Sequence, residues 1–269
     1  GFRSIEHVKR YTTTGMGTDQ GKLGNMHALG IIAETAGVKM GELGTTTFRP
    51  PYTPLTFGTI VGRNVGEYFD TFRRTPMNDW HIENKAEFEN VGQWKRAWYY
   101  PKNNETMHEA VQRESKAARN SAGILDASTL GKIDIQGTDA SEFLNRVYTN
   151  AWSKLAIGKC RYGLMLNEDG MVYDDGVTTR LDENHYIMTT TTGGAANVLG
   201  KLEDYLQTEW PELDVYLSSV TDHYATASIC GPNSKKILNK LIPNLDLSDE
   251  IFPHMSFKNA KIDNIKCRI

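Results

Sequence analysis

The run from Arg161 to Arg180, R-Y-G-L-M-L-N-E-D-G-M-V-Y-D-D-G-V-T-T-R, constrains this chain more than any other stretch. The cluster Asn167-Glu168-Asp169-Gly170 separates two apolar segments, which is the pattern of a β-hairpin with a four-residue loop. Asp174 and Asp175 then fall inside the second strand, although Asp is depleted from strands and neighbouring like charges repel. Side chains alternate between faces with period two. Tyr173, Asp175, Val177 and Thr179 share one face; Val172, Asp174, Gly176, Thr178 and Arg180 share the other. The first set is the more apolar, so Asp175 is expected to face inward. A buried acid is costly without a partner, and a ligand is one way to compensate it. The other readings are two acids solvated at a strand end, or an ion pair between Asp175 and a buried Arg such as Arg161.

The remaining pattern is mixed. Asn25 to Gly37 carries Leu29, Ile32 and Ala36 at helical spacing, with Gly37 as a stop. A helix is expected over Glu105–Ser121, and a strand over Lys132-Ile133-Asp134-Ile135. Thr138 is placed to cap a helix whose Ala140, Phe143, Leu144 and Val147 form an apolar face. His185 to Thr192 reads as a strand, Ala195 to Leu206 as a helix. Val215–Val220 and Tyr224–Ile229 read as strands, and Ser234–Leu241 as a helix. Elements in an order that is not strict βαβ favour an α+β fold. Residues 1–76 are loop-rich and partly helical, with too little apolar periodicity to fold well alone. Residues 77–269 carry the regular elements, after an aromatic cluster of Trp94, Trp98, Tyr99 and Tyr100.

At 269 residues the chain has room for one large domain or two smaller ones. A formal net charge of −3 gives no electrostatic footprint for nucleic acid or an anionic membrane. No apolar run approaches the ~20 residues that span a bilayer. Three cysteines without close spacing fit reduced thiols and a cytoplasmic setting. The seven histidines form no H-x-H, H-x-x-x-H or C-x-x-C pair, so no metal site is expected. The first residue is Gly and the last four begin a strand-like run, which reads as a piece of a longer polypeptide.

Two short motifs have both a functional and a plain reading. Gly15-Met16-Gly17-Thr18-Asp19-Gln20-Gly21 has the spacing G-x-G-x-x-x-G, but no strand precedes it, so it fails as a dinucleotide fingerprint. A tight loop is the simpler reading; a turn whose amides face a phosphate is the other. Thr189-Thr190-Thr191-Thr192-Gly193-Gly194 closes a strand and opens a helix, where hydroxyls and amides can hold a polar ligand. Strand propensity of Thr with ordinary capping is the simpler reading.

Longer motifs carry a resemblance. Ala118 to Ser128, Gly137, Phe143-Leu144, Thr149-Asn150, Tyr162, Leu166-Asn167-Glu168, Gly170-x-x-x-Asp174-Asp175 and Gly231-Pro232 resemble the glycine-cleavage T-protein (aminomethyltransferase) family. Tyr11–Lys22 (Y-T-T-T-G-M-G-T-D-Q-G-K), Gly44–Pro54, Val91–Pro101 and Asp126–Gly137 are similar to the α subunits of heterotetrameric sarcosine oxidases. The resemblance implies a T-protein-like folate-binding domain, truncated at its C-terminal end, over residues 77–269. It implies tetrahydrofolate as the ligand, FAD and FMN in an assembled complex with other subunits, and NAD in an N-terminal domain that lies outside this chain. It also implies the reaction: the methylene iminium from sarcosine is captured on tetrahydrofolate, giving methylenetetrahydrofolate and glycine. Asp175 then matches the carboxylate beside the reacting folate nitrogens. Tyr162, Asp174, Thr190 and Thr191 become folate-contact candidates, with Thr191 standing where T-proteins have Asn and Thr179 where they have Tyr. Thr14, Gly15 and Gln20 become candidates for a flavin-side subunit interface. In related amine oxidase subunits that loop carries cysteines for an iron–sulfur cluster; Thr14 and Asp19 stand there instead, which implies no cluster.

Overall fold

Among its described residues, the N-terminal part of the chain contains no strand. The structure, a computed structural model, describes residues 1–17, 19–48, 50, 53, 55–66 and 71–269. Two units divide it, Gly1–Asp70 and Thr71–Ile269. The first holds α1 (Ile5–Thr12), α2 (Gly24–Ala36) and α3 (Phe57–Val61). The spacing expected for Asn25–Gly37 is therefore a helix, and Gly37 ends it at φ 66°, its N–H bonded to the Ala33 and Glu34 carbonyls. The start of α2 is set by Asp19, whose carboxylate accepts the N–H groups of Gly21, Leu23 and Gly24. Those bonds hold its carboxyl below the usual range. Ile5, Leu29 and Ala33 are the buried apolar side chains among the described residues of this unit, while Tyr11, Ile31, Phe57 and Ile60 are exposed. Of the proline-containing stretch Thr45–Pro54, residues Arg49, Pro51, Tyr52 and Pro54 lie outside the described residues, as does Thr18 of the glycine-rich segment.

The second unit runs β1 (Arg73–Arg74), α4 (Asn78–Glu83), β2 (Glu87–Val91), β3 (Trp94–Tyr99), α5 (Met107–Asn120), β4 (Gly123–Asp126), β5 (Gly131–Gln136) and α6 (Ala140–Val147). It continues with β6 (Cys160–Leu166), β7 (Val172–Asp182), β8 (His185–Thr190), α7 (Ala195–Asp204), β9 (Tyr216–Ser219), β10 (Ala227–Cys230), α8 (Ser234–Leu241), β11 (Asn259–Ile262) and β12 (Ile265–Arg268). The centre is a five-stranded antiparallel sheet in the order β6-β7-β8-β5-β9. One face of it is dry. Ile133, Ile135, Met165, Tyr186 and Met188 meet Ala140, Phe143 and Leu144 of α6 and Val198 and Leu202 of α7 there. The i, i+3, i+4 spacing of the α6 residues puts them on one stripe, and removing the Phe143 ring is expected to cost about 3–5 kcal/mol. Trp94, Trp98 and Tyr99 of the aromatic cluster fall in β3, with Trp94 buried under Arg73, whose guanidinium lies 4.0 Å from the ring centroid.

The hairpin of β6 and β7 forms, with Gly170 at φ 80°, but five residues, 167–171, lie outside the strands where the sequence implies a four-residue loop. Its tip is tied down: Lys201 of α7 donates to Asn167 Oδ1 at 3.0 Å and lies over the Tyr173 and Tyr205 rings. Two further expectations fail. Thr138 does not cap α6; its hydroxyl and N–H bond Asp214, which arrives from a distant turn. The inward acid is Asp174, 5% exposed, and not Asp175. The core face of β7 is set by its neighbours: Asp174 pairs with Met165 and Thr178 with Met188, both buried, so the less apolar set of this strand lies under the helices.

Candidate functional site

Asp175 projects from the other face of the sheet, the one that α6 and α7 leave uncovered. Cross-strand register puts Leu164 opposite Asp175 and Val177 opposite Tyr162. Tyr162, 50% exposed, donates its phenol proton to Asp175 Oδ2 at 2.8 Å. That bond to the carboxylate, with some burial, pushes the Tyr162 phenol up from its ordinary range. Among the described residues Asp175 Oδ1 accepts no hydrogen bond, so one carboxylate oxygen remains free. The Tyr162 strand is held locally by Asn150, whose amide donates to the Tyr162 carbonyl at 2.9 Å. A half-open carboxylate, a phenol and two aliphatic side chains make a surface that can take a flat heterocycle with polar edges. Arg161 does not pair with Asp175: its guanidinium donates to the Ala151 carbonyl and lies near the Trp152 ring.

The other folate candidates sit elsewhere. Asp174, on the core face, accepts the N–H of Thr191 at 3.2 Å and its hydroxyl at 2.6 Å. Thr190 is buried and its hydroxyl donates to the Thr191 carbonyl. Asp174, Thr190 and Thr191 are thus engaged with one another, while Tyr162 and Asp175 form a separate pair. Nearby, burial first and the charges of Asp174 and Asp175 second push the Tyr148 phenol up. In the N-terminal unit Thr14 and Gly15 lie in the turn after α1, with the Thr14 hydroxyl 2.8 Å from that of Thr12. The Gln20 amide bonds the Gly17 carbonyl. Among the described residues no group of three or more His, Cys, Asp or Glu is placed to hold a metal ion. No described helix is long and apolar enough to cross a membrane.

Sequence reasoning missed a second polar centre. His81 Nε2 lies 2.9 Å from Asp126 Oδ2, and Tyr100 Oη lies 2.6 Å from His81 Nδ1. His81 and Asp126 are both nearly dry, and Asp126 Oδ1 also accepts the Ser128 N–H. Lys132 is buried beside this centre, bonded to the Ser128 and Leu130 carbonyls, and burial pushes its ammonium down. No local spacing signals a pair 45 residues apart.

Comparison with known proteins gives these geometries a family. The chain is 54% identical to the sarcosine oxidase subunit alpha of Corynebacterium sp. (strain P-1), over all of this chain and 28% of that protein. It is 50% identical to the sarcosine oxidase subunit alpha of Rhizobium meliloti (strain 1021), over 97% of this chain and 26% of that protein. The chain thus spans little more than a quarter of the length of these curated relatives. An aminomethyltransferase of Staphylococcus epidermidis is 28% identical over 65% of the chain and 45% of that protein. A solved structure, the glycine cleavage system aminomethyltransferase T from Bartonella henselae, covers 72% of this chain and 49% of its own, with TM-score 0.59 and 22% identity, a likeness of fold. The sarcosine oxidase A3 domain matches residues 1–63 and the GCVT N-terminal domain matches residues 77–269. With the α+β sheet of its second unit and a family match across most of its length, the chain belongs to the GCVT N-terminal domain family, joined to a sarcosine oxidase A3 domain.

Proposed function

We propose that this chain forms the folate-handling part of a sarcosine oxidase α subunit, working in a cytoplasmic complex with the other subunits and their FAD and FMN. NAD belongs to a nucleotide-binding domain outside this chain, and Thr14, Gly15 and Gln20 face the flavin-side interface. In that reading the methylene iminium formed from sarcosine is captured as methylenetetrahydrofolate, with release of glycine. The observation that carries it is the Tyr162–Asp175 pair, open on the uncovered sheet face with one carboxylate oxygen free. When bound, tetrahydrofolate supplies the amine nitrogens that take up the one-carbon unit, and the two protons those nitrogens lose end on the nitrogen of glycine.

This chain's residues fit such a ligand. Asp175 Oδ1 offers a hydrogen-bond acceptor for an N–H edge and a relay for a proton passing from that edge to the departing amine. Tyr162 holds Asp175 Oδ2 and so fixes the direction in which Oδ1 points. Leu164 and Val177 supply apolar contact on the same face. The A3 match over residues 1–63 favours this reading over a free-standing aminomethyltransferase.

The test is the division of product between methylenetetrahydrofolate and formaldehyde in the full-length, assembled enzyme turning over sarcosine with tetrahydrofolate. Asp175→Asn is expected to lower the ratio of methylenetetrahydrofolate to formaldehyde about a hundredfold, the lower end of what a positioned acid–base group contributes. A folate share equal to that of the unmodified enzyme would remove Asp175 from the reaction.

A further inference from the structure

Asp174 has no part in the chemistry proposed for Asp175, yet it is the better connected of the two acids. The backbone ladder of β7 and β8 is paired from Asp182↔His185 to Thr178↔Met188. Beyond Thr178, toward the hairpin tip, side chains take over. The Thr189 hydroxyl lies 2.9 Å from the Val177 N–H and 3.3 Å from its carbonyl, bridging both. Gly176 comes so close that a Cβ on it would stand 1.9 Å from the Thr189 carbonyl oxygen. Next, the Asp174 carboxylate takes the N–H and hydroxyl of Thr191, and the same hydroxyl accepts the Gly194 N–H at 3.1 Å.

Asp175 therefore lies between two side-chain fastenings, one at Val177 and one at Asp174. On its other side only the β6 ladder, through Leu164, holds it. Charge-assisted bonds to a buried carboxylate are short and directional, which suits a fastening. Adjacent strand residues face opposite ways, so a carboxylate anchored below fixes the direction of the one above. We infer that Asp174 is a positioning residue: it anchors β7 to the Thr191–Gly194 turn and so aims Asp175 at Tyr162. Its importance for folate rests on the function proposed above, but the aiming itself does not.

The aiming can be read without folate. Tyr162 titrates high because its phenol donates to Asp175. In the full-length assembled enzyme labelled with 13Cζ-tyrosine, and with the Tyr162 resonance assigned by Tyr162→Phe, the titration of that phenol reports the bond. Asp175→Asn is expected to lower the titration pH by about half a unit or more, the size of a modest net hydrogen bond at an exposed site. Asp174→Asn and Thr191→Val are expected to lower it in the same direction, and Thr191→Ser, which keeps the hydroxyl, to leave it in place. Thr191 is exposed, so Thr191→Val tests the idea even where Asp174→Asn fails to fold. If Asp175→Asn moves Tyr162 while Asp174→Asn and Thr191→Val leave it where it was, the inference is overturned and Asp174 only supports the fold. An unchanged folate share in Asp175→Asn would remove Asp175 from the folate reaction while leaving this measurement standing.

Discussion

Two of the described carboxylates, Asp126 and Asp175, reach a tyrosine in opposite circumstances. Asp126 reaches Tyr100 through His81, in a nearly dry setting, and its second oxygen takes the Ser128 N–H. Asp175 reaches Tyr162 directly, on an uncovered sheet face, and its second oxygen has nothing to accept among the described residues. The first joins α4, the residue that follows β3, and β4 with both carboxylate oxygens bonded, as suits a buried ion. The second leaves capacity over. Residue types are nearly the same in the two places, so identity alone does not distinguish a brace from a site. Unspent hydrogen-bonding capacity within reach of solvent does.

The contrast breaks if the two respond alike to mutation. His81→Ala strips a buried carboxylate of its partner and is expected to destabilise the protein by about 3–5 kcal/mol in urea denaturation. Asp175→Asn should stay within about 0.5 kcal/mol of the unmodified protein, as for an open polar site. Equal losses would mean that Asp175 is a brace as well. An intermediate effect is expected from Gly176→Ala, which must push β7 off Thr189. About 1–3 kcal/mol is the usual cost of such crowding, and folate capture should fall with it while the His81–Asp126 pair stays intact.

Acid sharpens the comparison further. Burial alone would push the Asp126 carboxyl up, but hydrogen bonds from Ser128 and His81 outweigh it and hold the carboxyl below its ordinary range. A depressed carboxyl contributes stability that is complete above its unfolded value, near pH 4, and is lost as pH falls through the lower folded value. Denaturation midpoints between about pH 4 and pH 2 should therefore fall less steeply in Asp126→Asn than in the unmodified protein. A slope unchanged by that substitution would show that other groups govern acid unfolding. The smallest effect belongs to Tyr162→Phe. The denaturation midpoint should not move, and tetrahydrofolate affinity, measured by titration calorimetry, should drop roughly fivefold.

What could be read from the chain follows the distance over which its parts interact. Tyr162 and Asp175 are joined across one turn, and both the hairpin and the pair of acids were visible in a run of twenty residues. The α6 stripe and the Gly37 stop were equally local. His81 and Asp126 stand in separate elements, and nothing near either one announces the other. The same limit explains the Thr138 cap, displaced by Asp214, and the inverted faces of β7. The apolar average of that strand pointed one way. Met165 and Met188, supplied by its neighbours, decided the other. A strand's buried face belongs to the sheet, and single-strand composition is a poor guide when the strand carries Asp, Gly and Thr inward.

The tether between Lys201 and the hairpin tip has a practical side. Exposed turns are where epitope tags, fluorophores and proteases are usually aimed, because such turns move independently of what they connect. This one is bonded to α7 through Asn167 and covered on one flank by the Lys201 contacts with Tyr173 and Tyr205. A dye placed at Glu168 would report on the helix as much as on the turn. A cut there would loosen the segment that carries Asp175.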